Sequence, residues 1–214
     1  MTLKVHGNVQ SSNTRRVLLV LKEKNIPYEL VAVDWIVAEH KRPEWLEFQP
    51  FAQMPYIEDD DGFILYESRA IARYLVAKYP AKGPALIPAA GTKQQALFEQ
   101  AASIEAFNFD PLVTALLTER LVKPFAGQTT DETAVAAIIA QLEGKFAGYE
   151  RVLSKDKYLA GDEVTLADLF HIPYLSVFGL AKLNFFTAEE EVKKWPNLAR
   201  WANELLARDS AKSV

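Results

Sequence analysis

The chain has 214 residues, of which half are hydrophobic and 24% are charged, a composition ordinary for a folded protein in water. Its length allows one or two domains with sizeable cores. The formal net charge of −4 argues against nucleic-acid binding, and no apolar run approaches the roughly 20 residues that span a bilayer. Residues 1–7 show no signal-peptide pattern, so we expect a cytoplasmic protein without nucleic-acid or membrane partners.

The chain contains no cysteine, which excludes disulfides, thiolate metal sites and a cysteine nucleophile. Its three histidines, His6, His40 and His171, are too few and too scattered to suggest a metal site. Any thiol chemistry therefore requires a thiol that is supplied by a ligand.

Residues 1–80 alternate between strand-like and helix-like segments. The predicted elements are strand 3–6, helix 13–24, strand 28–33, short helix 43–48, strands 56–58 and 63–65, and helix 68–78. Asn25-Ile26-Pro27 ends the first helix, and Asp59-Asp60-Asp61-Gly62 is a hairpin signal between the last two strands. This order predicts a small α/β domain in which the first two strands are parallel and the last two antiparallel.

A segment rich in proline and glycine follows, and beyond it nearly every segment is helical. Helices are predicted over 92–123, 130–153 and 195–207, with Thr130 as the N-cap of the second. Thr165-Leu166-Ala167-Asp168 has the shape of a capping box. We therefore predict an α/β domain over residues 1–80, a linker over 81–89 and an all-helical domain over 90–214.

Hydroxyl and amide side chains crowd the junction between the first strand and the first helix, residues 7–16. Such residues are normally helix caps, although a hydroxyl here could donate a hydrogen bond to a ligand anion. The Met54-Pro55 bond precedes a strand and could be cis, which would leave the Met54 backbone free to pair with a peptide-like ligand. A simple proline at a strand entry is the alternative.

Two further segments could bind charged groups. Ser68 begins a helix, where free N–H groups favour an anion, and the adjacent Glu67 could bind an ammonium group. An ordinary helix cap is the alternative interpretation. The basic run His40-Lys41-Arg42 could bind a carboxylate, or could simply be a solvated face.

Together, in this order and spacing, these segments resemble the cytosolic glutathione transferases, and within them the phi class. The likeness covers essentially the whole chain and implies a thioredoxin-like α/β domain followed by an all-α domain. Its matching stretches are residues 11–17, 39–41, 50–55, 65–71, 158–161 and 165–169. Tyrosine-type transferases carry a tyrosine at the end of the first strand, where this chain has His6-Gly7, and cysteine-type members need a thiol that is missing here.

The resemblance implies a role for individual residues. Ser11 matches the catalytic serine whose hydroxyl stabilises the glutathione thiolate, with Ser12 beside it. Met54, before a cis-proline at Pro55, matches the residue whose backbone pairs with the cysteinyl unit. The remaining matches bind the two ends of glutathione: Glu67 and Ser68 at the γ-glutamyl end, and His40, Lys41 and Gln53 near the glycyl end. Asp168 matches a capping aspartate with a role in folding.

The resemblance also implies a co-substrate, an electrophile and a homodimer. Glutathione is expected as co-substrate, with no further cofactor and no metal. We expect an apolar electrophile to bind between the domains, near Trp35, Val37, Thr118 and Val122, although these residues could equally be core or exposed surface. The activity expected is conjugation, with hydroperoxide reduction as a second reaction of the same thiolate.

Two alternatives from other functional classes remain open at this point. One is a carrier of apolar small molecules, which would share the same sequence features. The other is a regulatory or scaffold protein that reuses the fold. The presence of Ser11, Gln53, Glu67 and Ser68 weighs against the second alternative.

Overall fold

A computed structural model describes residues 2–214, which form two compact units. The first unit contains residues 2–87 together with 209–214, and the second contains residues 88–208. Among residues 2–214, no helix combines the length and the apolar character needed to cross a membrane.

The first unit is a four-stranded sheet with helices. Its strands are β1 (Lys4–Gly7), β2 (Glu29–Ala32), β3 (Tyr56–Glu58) and β4 (Ile64–Tyr66), and its helices are α1 (Ser12–Glu23), α2 (Pro43–Leu46) and α3 (Ser68–Lys78), with a 3₁₀ turn at Glu39–Lys41. The strand order is β2-β1-β3-β4. As predicted, β1 and β2 are parallel and β3 and β4 antiparallel.

The sheet register brings the ends of several elements to one edge. Gly7 at the end of β1 is level with Ala32 at the end of β2. Tyr56 at the start of β3 pairs with His6 of β1 and with Tyr66 at the end of β4. Helices α1 and α3 follow β1 and β4, so both begin at this same edge.

Helices α1 and α3 pack against each other because each carries apolar residues at helical spacing. In α1 the buried apolar run is 17–21, and in α3 Ile71 and Leu75 are completely buried. Val5 and Ile57 of the central strands are also completely buried. The packing of this core positions the N-termini of α1 and α3 relative to the sheet.

The second unit is helical. Its helices are α4 (Lys93–Ile104), α5 (Asp110–Leu117), α6 (Lys123–Phe125), α7 (Glu132–Leu153), α8 (Leu166–Leu169), α9 (Ile172–Leu175), α10 (Glu189–Lys194) and α11 (Pro196–Leu206). The π-helical segments Glu105–Phe109 and Thr118–Val122 join α4, α5 and α6, so the long helix predicted from residue 92 is one continuous helical run.

Two predicted helix caps have different outcomes. The capping box of Thr165 and Asp168 is present at the start of α8, as predicted. Thr130 was predicted to cap the next long helix, but the N-cap is Asp131, whose Oδ1 accepts from the N–H groups of Thr133 and Ala134 at 2.9 and 3.0 Å. The Thr130 hydroxyl instead donates to the Glu119 carbonyl at 2.8 Å.

The chain ends in a short helix, α12 (Asp209–Lys212), that packs on α1 of the first unit. Ser210 donates a hydrogen bond to the Glu23 carboxylate, and Arg15 donates to the Val214 carbonyl at 3.0 Å. Lys24 likewise donates to the Pro84 carbonyl at 3.0 Å. These contacts place residues 81–87 and 209–214 with the first unit, whereas the predicted boundaries assigned them to a linker and to the helical domain.

Candidate functional site

Three of the predicted site segments meet at the sheet edge where α1 and α3 begin. A Cβ on Gly7 would lie 2.6 Å from Thr14 Oγ1 and 3.2 Å from Pro55 Cβ, so the β1–α1 turn and the entry to β3 are in close contact. A residue with a side chain at the end of β1 would displace one of them. Ser68 is tied to α1 by side-chain hydrogen bonds. The edge therefore brings together the β1–α1 turn, the entry to β3 and the start of α3.

Ser11 is the N-cap of α1, and half-buried. Its Oγ accepts a hydrogen bond from the Thr14 N–H at 3.3 Å, and its own N–H donates to the Asn8 carbonyl at 2.9 Å. Among residues 2–214 the Ser11 hydroxyl does not donate a hydrogen bond to any group. The hydroxyl oxygen is therefore already used as an acceptor, while the hydroxyl proton remains available to a ligand. Ser12, the first residue of α1, is also half-buried.

The Met54–Pro55 peptide bond is cis, as the resemblance implies. The Met54 side chain packs against a cluster of Val33, Trp45 and Tyr56, so its apolar part faces the core. Within residues 2–214, the N–H and carbonyl of Met54 form no backbone hydrogen bond. These two groups are therefore open to a peptide-like partner.

Two hydrogen bonds fix the backbone of Gln53, while its side chain is exposed. Its N–H donates to Gln49 Oε1 at 3.2 Å, and its carbonyl accepts from Trp45 Nε1 at 3.0 Å. Gln49 is buried and also accepts from the Phe51 N–H at 2.8 Å. The roles of Gln49 and Trp45 do not follow from the sequence, because a contact four or eight residues away in a loop leaves no periodic signal.

Glu67 precedes α3 with φ +72° and ψ +102°, a conformation that is costly for a residue with a side chain. Its side chain is exposed and makes no capping hydrogen bond, so the first N–H groups of α3 are uncapped at this point. Ser68 is the first residue of the helix and is 6% exposed. Strain of this kind is typical of functional sites, where the surrounding structure maintains it.

Arg16 and Asn13 are two further residues at this site, and neither was among the predicted site residues. Arg16 is completely buried, and its Nη1 donates to Ser68 Oγ at 2.9 Å and to Asn13 Oδ1. Ser68 Oγ lies 3.4 Å from the same Asn13 oxygen. A buried arginine in an apolar helix face was the available signal, since charged residues are rarely buried without a specific partner.

His40 and Lys41 lie in the 3₁₀ turn after β2. No hydrogen bond or ion pair among residues 2–214 joins them to Ser11, Met54 or Ser68. Burial, with a smaller contribution from the positive charge of Lys41, lowers the pKa of His40. His40 Nδ1 is buried and has no hydrogen-bond partner among the residues described, while Lys41 is exposed.

A cleft of about 570 Å³ borders the β1–α1 turn. It is lined by residues 8–10 on one side and by residues 32–36 and Glu39 on the other. Trp35 Nε1 donates to Gln10 Oε1 at 2.7 Å, and Asn8 Nδ2 donates to the Val33 carbonyl at 2.9 Å, so the two walls are tied together. Ser11 is adjacent in sequence to this lining.

The four predicted electrophile-pocket residues are distributed over both units. Trp35 lines the cleft, whereas Val37 is 55% exposed and is not part of its lining. Thr118 and Val122 lie in the second π-helical segment of the other unit. Thr118 donates to the Thr114 carbonyl at 2.7 Å, and Val122 is exposed.

Comparison with known proteins matches both units of the chain to one family. Residues 1–77 match the glutathione S-transferase N-terminal domain, and residues 109–209 match the glutathione S-transferase C-terminal domain. The chain is 42% identical to glutathione S-transferase PM239X14 of Arabidopsis thaliana, over 99% of this chain and 98% of the relative.

Two solved structures have similar folds. Glutathione transferase F7 from Populus trichocarpa has a TM-score of 0.90 at 34% identity, covering 99% of this chain and 97% of the other. Glutathione S-transferase I from maize, solved in complex with an atrazine glutathione conjugate, has a TM-score of 0.86 at 31% identity, covering 100% and 96%.

Proposed function

We propose that this chain, which belongs to the glutathione S-transferase family and to its phi-like branch, activates the thiol of glutathione through the Ser11 hydroxyl. The observation that carries the proposal is the hydrogen bonding of Ser11. Its oxygen accepts a hydrogen bond from the Thr14 N–H, and its proton is uncommitted at the edge where the Met54-Pro55 and Glu67-Ser68 segments also lie.

A free thiol has a pKa near 8.5, so only a few per cent is thiolate at neutral pH. A hydrogen bond donated to the thiolate stabilises the charged form and lowers the pKa of the thiol. The Ser11 hydroxyl would donate this bond, and the N-terminus of α1 would add its positive end. Serine does not take the proton; it stabilises the anion that the proton leaves behind.

The thiolate then acts as the nucleophile. With an aryl halide, the glutathione sulfur forms a bond to the ring carbon that carries the halogen, and the halide leaves with the bonding electron pair. With a hydroperoxide, the same thiolate would attack the terminal oxygen. An S–O bond forms as the O–O bond breaks, and the alkoxide leaves and takes a proton to become the alcohol. A second glutathione then attacks the sulfenic acid sulfur, which gives glutathione disulfide and water. The maize relative bound to an atrazine conjugate supports carbon conjugation as the principal reaction.

Glutathione binding uses the segments assigned from the resemblance. The Met54 backbone, before Pro55, would pair with the cysteinyl unit, because its N–H and carbonyl are open. The γ-glutamyl end would bind where α3 begins, with its carboxylate on Ser68 and the uncapped N–H groups and its ammonium on Glu67. The other predicted contacts are Ser12, and His40, Lys41 and Gln53 for the glycyl end.

The electrophile would bind in the cleft beside Ser11. Its walls include the apolar side chains of Val9, Trp35 and Ile36, which suit apolar substrates of varied shape. Val37 follows this lining in sequence and is proposed to contribute to the same substrate site. We expect the protein to act in the cytoplasm, with glutathione as co-substrate and without a further cofactor.

We also propose that the protein is a homodimer. Phe51, in the loop before β3, is 65% exposed, a large apolar side chain in contact mainly with solvent. In the second unit, a cleft of about 340 Å³ lies between α4 and α7, where Gly144 and Gly148 leave open space. Burial of Phe51 from one copy against this cleft in a second copy would remove both apolar surfaces from water.

The test is glutathione-dependent turnover of 1-chloro-2,4-dinitrobenzene by the purified protein and its Ser11→Ala variant. We expect turnover by the wild type and a loss of roughly ten- to a hundredfold in the variant, because a hydrogen bond to a charged group contributes about 1.5–3 kcal/mol. Thr92→Ala is the matched control, since Thr92 caps α4 by accepting from the Gln95 N–H at 3.1 Å.

If Thr92→Ala lost as much turnover as Ser11→Ala, the loss would be an effect of removing a helix cap and not of thiol activation. Unchanged turnover in Ser11→Ala would refute the assignment of Ser11. A wild type that binds glutathione and turns over neither aryl halide nor organic hydroperoxide would refute the transferase proposal and favour a carrier.

A further inference from the structure

We infer that Arg16 is a positioning residue for the Ser68 hydroxyl, an inference that rests on the proposed binding of the γ-glutamyl carboxylate at Ser68. Arg16 is on α1, Ser68 begins α3, and the guanidinium Nη1 donates to Ser68 Oγ at 2.9 Å. Arg16 is 0% exposed and Ser68 is 6% exposed, so this bond lies away from solvent.

The direction of the hydrogen bonds determines what the Ser68 hydroxyl can do. A hydroxyl has one proton and two acceptor lone pairs, whereas a guanidinium can only donate. Arg16 therefore occupies a lone pair of Ser68 Oγ and excludes the rotamers in which the hydroxyl proton points at the guanidinium. The proton must point elsewhere, and a ligand carboxylate is the strongest acceptor that the proposed function brings to it.

Asn13 holds this arrangement in place without competing strongly for the proton. Its Oδ1 accepts from Arg16 Nη1, which fixes the guanidinium. The same oxygen lies 3.4 Å from Ser68 Oγ, a long distance for a hydrogen bond between oxygens. The Ser68 proton is thus held only weakly before the ligand binds, and can transfer its hydrogen bond to the carboxylate.

The positive charge of Arg16 strengthens the Ser68 hydroxyl as a donor. Hydrogen bonds in a chain polarise one another, and a donor that is itself charged has the larger effect. Within a buried site the charge also favours an anion nearby, since it is poorly screened by water. Arg16 is therefore expected to act on the carboxylate of the γ-glutamyl unit specifically, through Ser68, without touching the ligand.

The experiment compares two ligands that differ by this carboxylate alone. One is S-hexylglutathione, and the other is the same molecule with a 4-aminobutyryl group in place of the γ-glutamyl group. Dissociation constants are measured by titration calorimetry for the wild type, Arg16→Met, Ser68→Ala and the double variant. We expect Arg16→Met to weaken binding of S-hexylglutathione by about tenfold and to leave binding of the analogue nearly unchanged.

Coupling between the two residues is the second readout. If Arg16 acts through Ser68, the double variant should lose little more affinity for S-hexylglutathione than Ser68→Ala alone. Arg16→Lys, which keeps a charged donor, should restore part of the preference for the carboxylate ligand. Arg15→Met is the matched control, because the neighbouring Arg15 donates instead to the Val214 carbonyl at 3.0 Å.

Each failure has a distinct signature. A wild type that binds neither ligand would overturn the proposed function itself. A wild type that binds S-hexylglutathione, with Arg16→Met weakening both ligands equally, would show that Arg16 merely holds α1 to α3. If Arg16→Met does not fold, Asn13→Ala removes the group that fixes the guanidinium, and it must show the same selective loss for the positioning role to stand.

Discussion

Replacement of Asp168 by asparagine should destabilise the helical unit strongly while changing only one atom of the side chain. Asp168 is completely buried, and both of its carboxylate oxygens accept hydrogen bonds. Oδ1 accepts from the Leu159 N–H at 2.9 Å and from Trp201 Nε1 at 3.0 Å. Oδ2 accepts from the N–H and the hydroxyl of Thr165 at 2.9 and 3.0 Å.

The magnitude follows from those four bonds. An asparagine must turn its NH₂ group toward one of the two pairs of donors. Facing Leu159 and Trp201, it would leave two buried N–H groups unpaired. Facing Thr165, it would leave the backbone N–H unpaired, while the hydroxyl can rotate to accept. The second orientation costs less. Its cost is one unpaired buried N–H together with the weaker hydrogen bonds that a neutral amide accepts, a loss of about 2–4 kcal/mol in the free energy of unfolding.

Thermal and urea unfolding measured by circular dichroism would check this value. For a chain of this size, the expected loss corresponds to a fall in Tm of roughly 5–15 °C. Asp162→Asn is the matched control, because Asp162 lies in the loop that precedes α8 and is exposed. An Asp168→Asn variant within about 0.5 kcal/mol of the wild type, the usual range for a neutral surface substitution, would refute the reasoning.

Three further predictions concern stability at low pH, the bound thiol and assembly. Burial raises the pKa of Asp59, but hydrogen bonds from Lys78, Tyr74 and the Asp60 N–H outweigh burial and lower it below 3.8. The stabilisation from Asp59 is therefore fully present above the pKa of this carboxyl in the unfolded chain, and it is lost as the pH falls through the lower pKa in the folded protein. In urea titrations at decreasing pH, the free energy of unfolding of Asp59→Asn should therefore fall less steeply than that of the wild type. Ser11→Ala should raise the pKa of the thiol of enzyme-bound glutathione by about one unit or more. This pKa is measured from the ultraviolet absorbance of the thiolate as a function of pH. The same thiol pKa in the variant and the wild type would contradict thiol activation by this hydroxyl. Phe51→Ser should convert a dimer to a monomer in light scattering. Leu180→Ser is the control, because Leu180 in the second unit is also largely exposed, and it should leave the dimer intact. A Phe51→Ser variant that is still dimeric would count against the proposed interface.

Local patterns in the sequence predict most of the elements correctly. Helix α3 has the predicted bounds, the β3–β4 hairpin forms around its aspartate-rich turn, and the capping box at Thr165 is present. These features depend on residues that are a few positions apart, so the pattern carries the interaction. The predicted cap of α7 was wrong by one residue, because Thr130 and Asp131 are both good caps. The Thr130 hydroxyl bonds to the Glu119 carbonyl, while the Asp131 carboxylate accepts from the first N–H groups of the helix.

The predicted site residues were named from the likeness of whole segments, and the structure adds the contacts behind them. Trp45 and Gln49 fix the backbone of Gln53, and the strain at Glu67 is visible only in its backbone angles. None of these follows from periodicity. They depend on how loops close over the sheet, which local sequence rules do not encode.

What the sequence determined by itself is the set of elements, the absence of a protein thiol and the stretches that identify the family. Only the tertiary structure decided that Arg16 of α1 reaches Ser68 of α3, 52 residues away, and that the last residues pack on α1. The physical reason is the same in both cases. Helical spacing determines which face of a helix is apolar, but the partner of a buried polar group depends on which distant segment packs against that face.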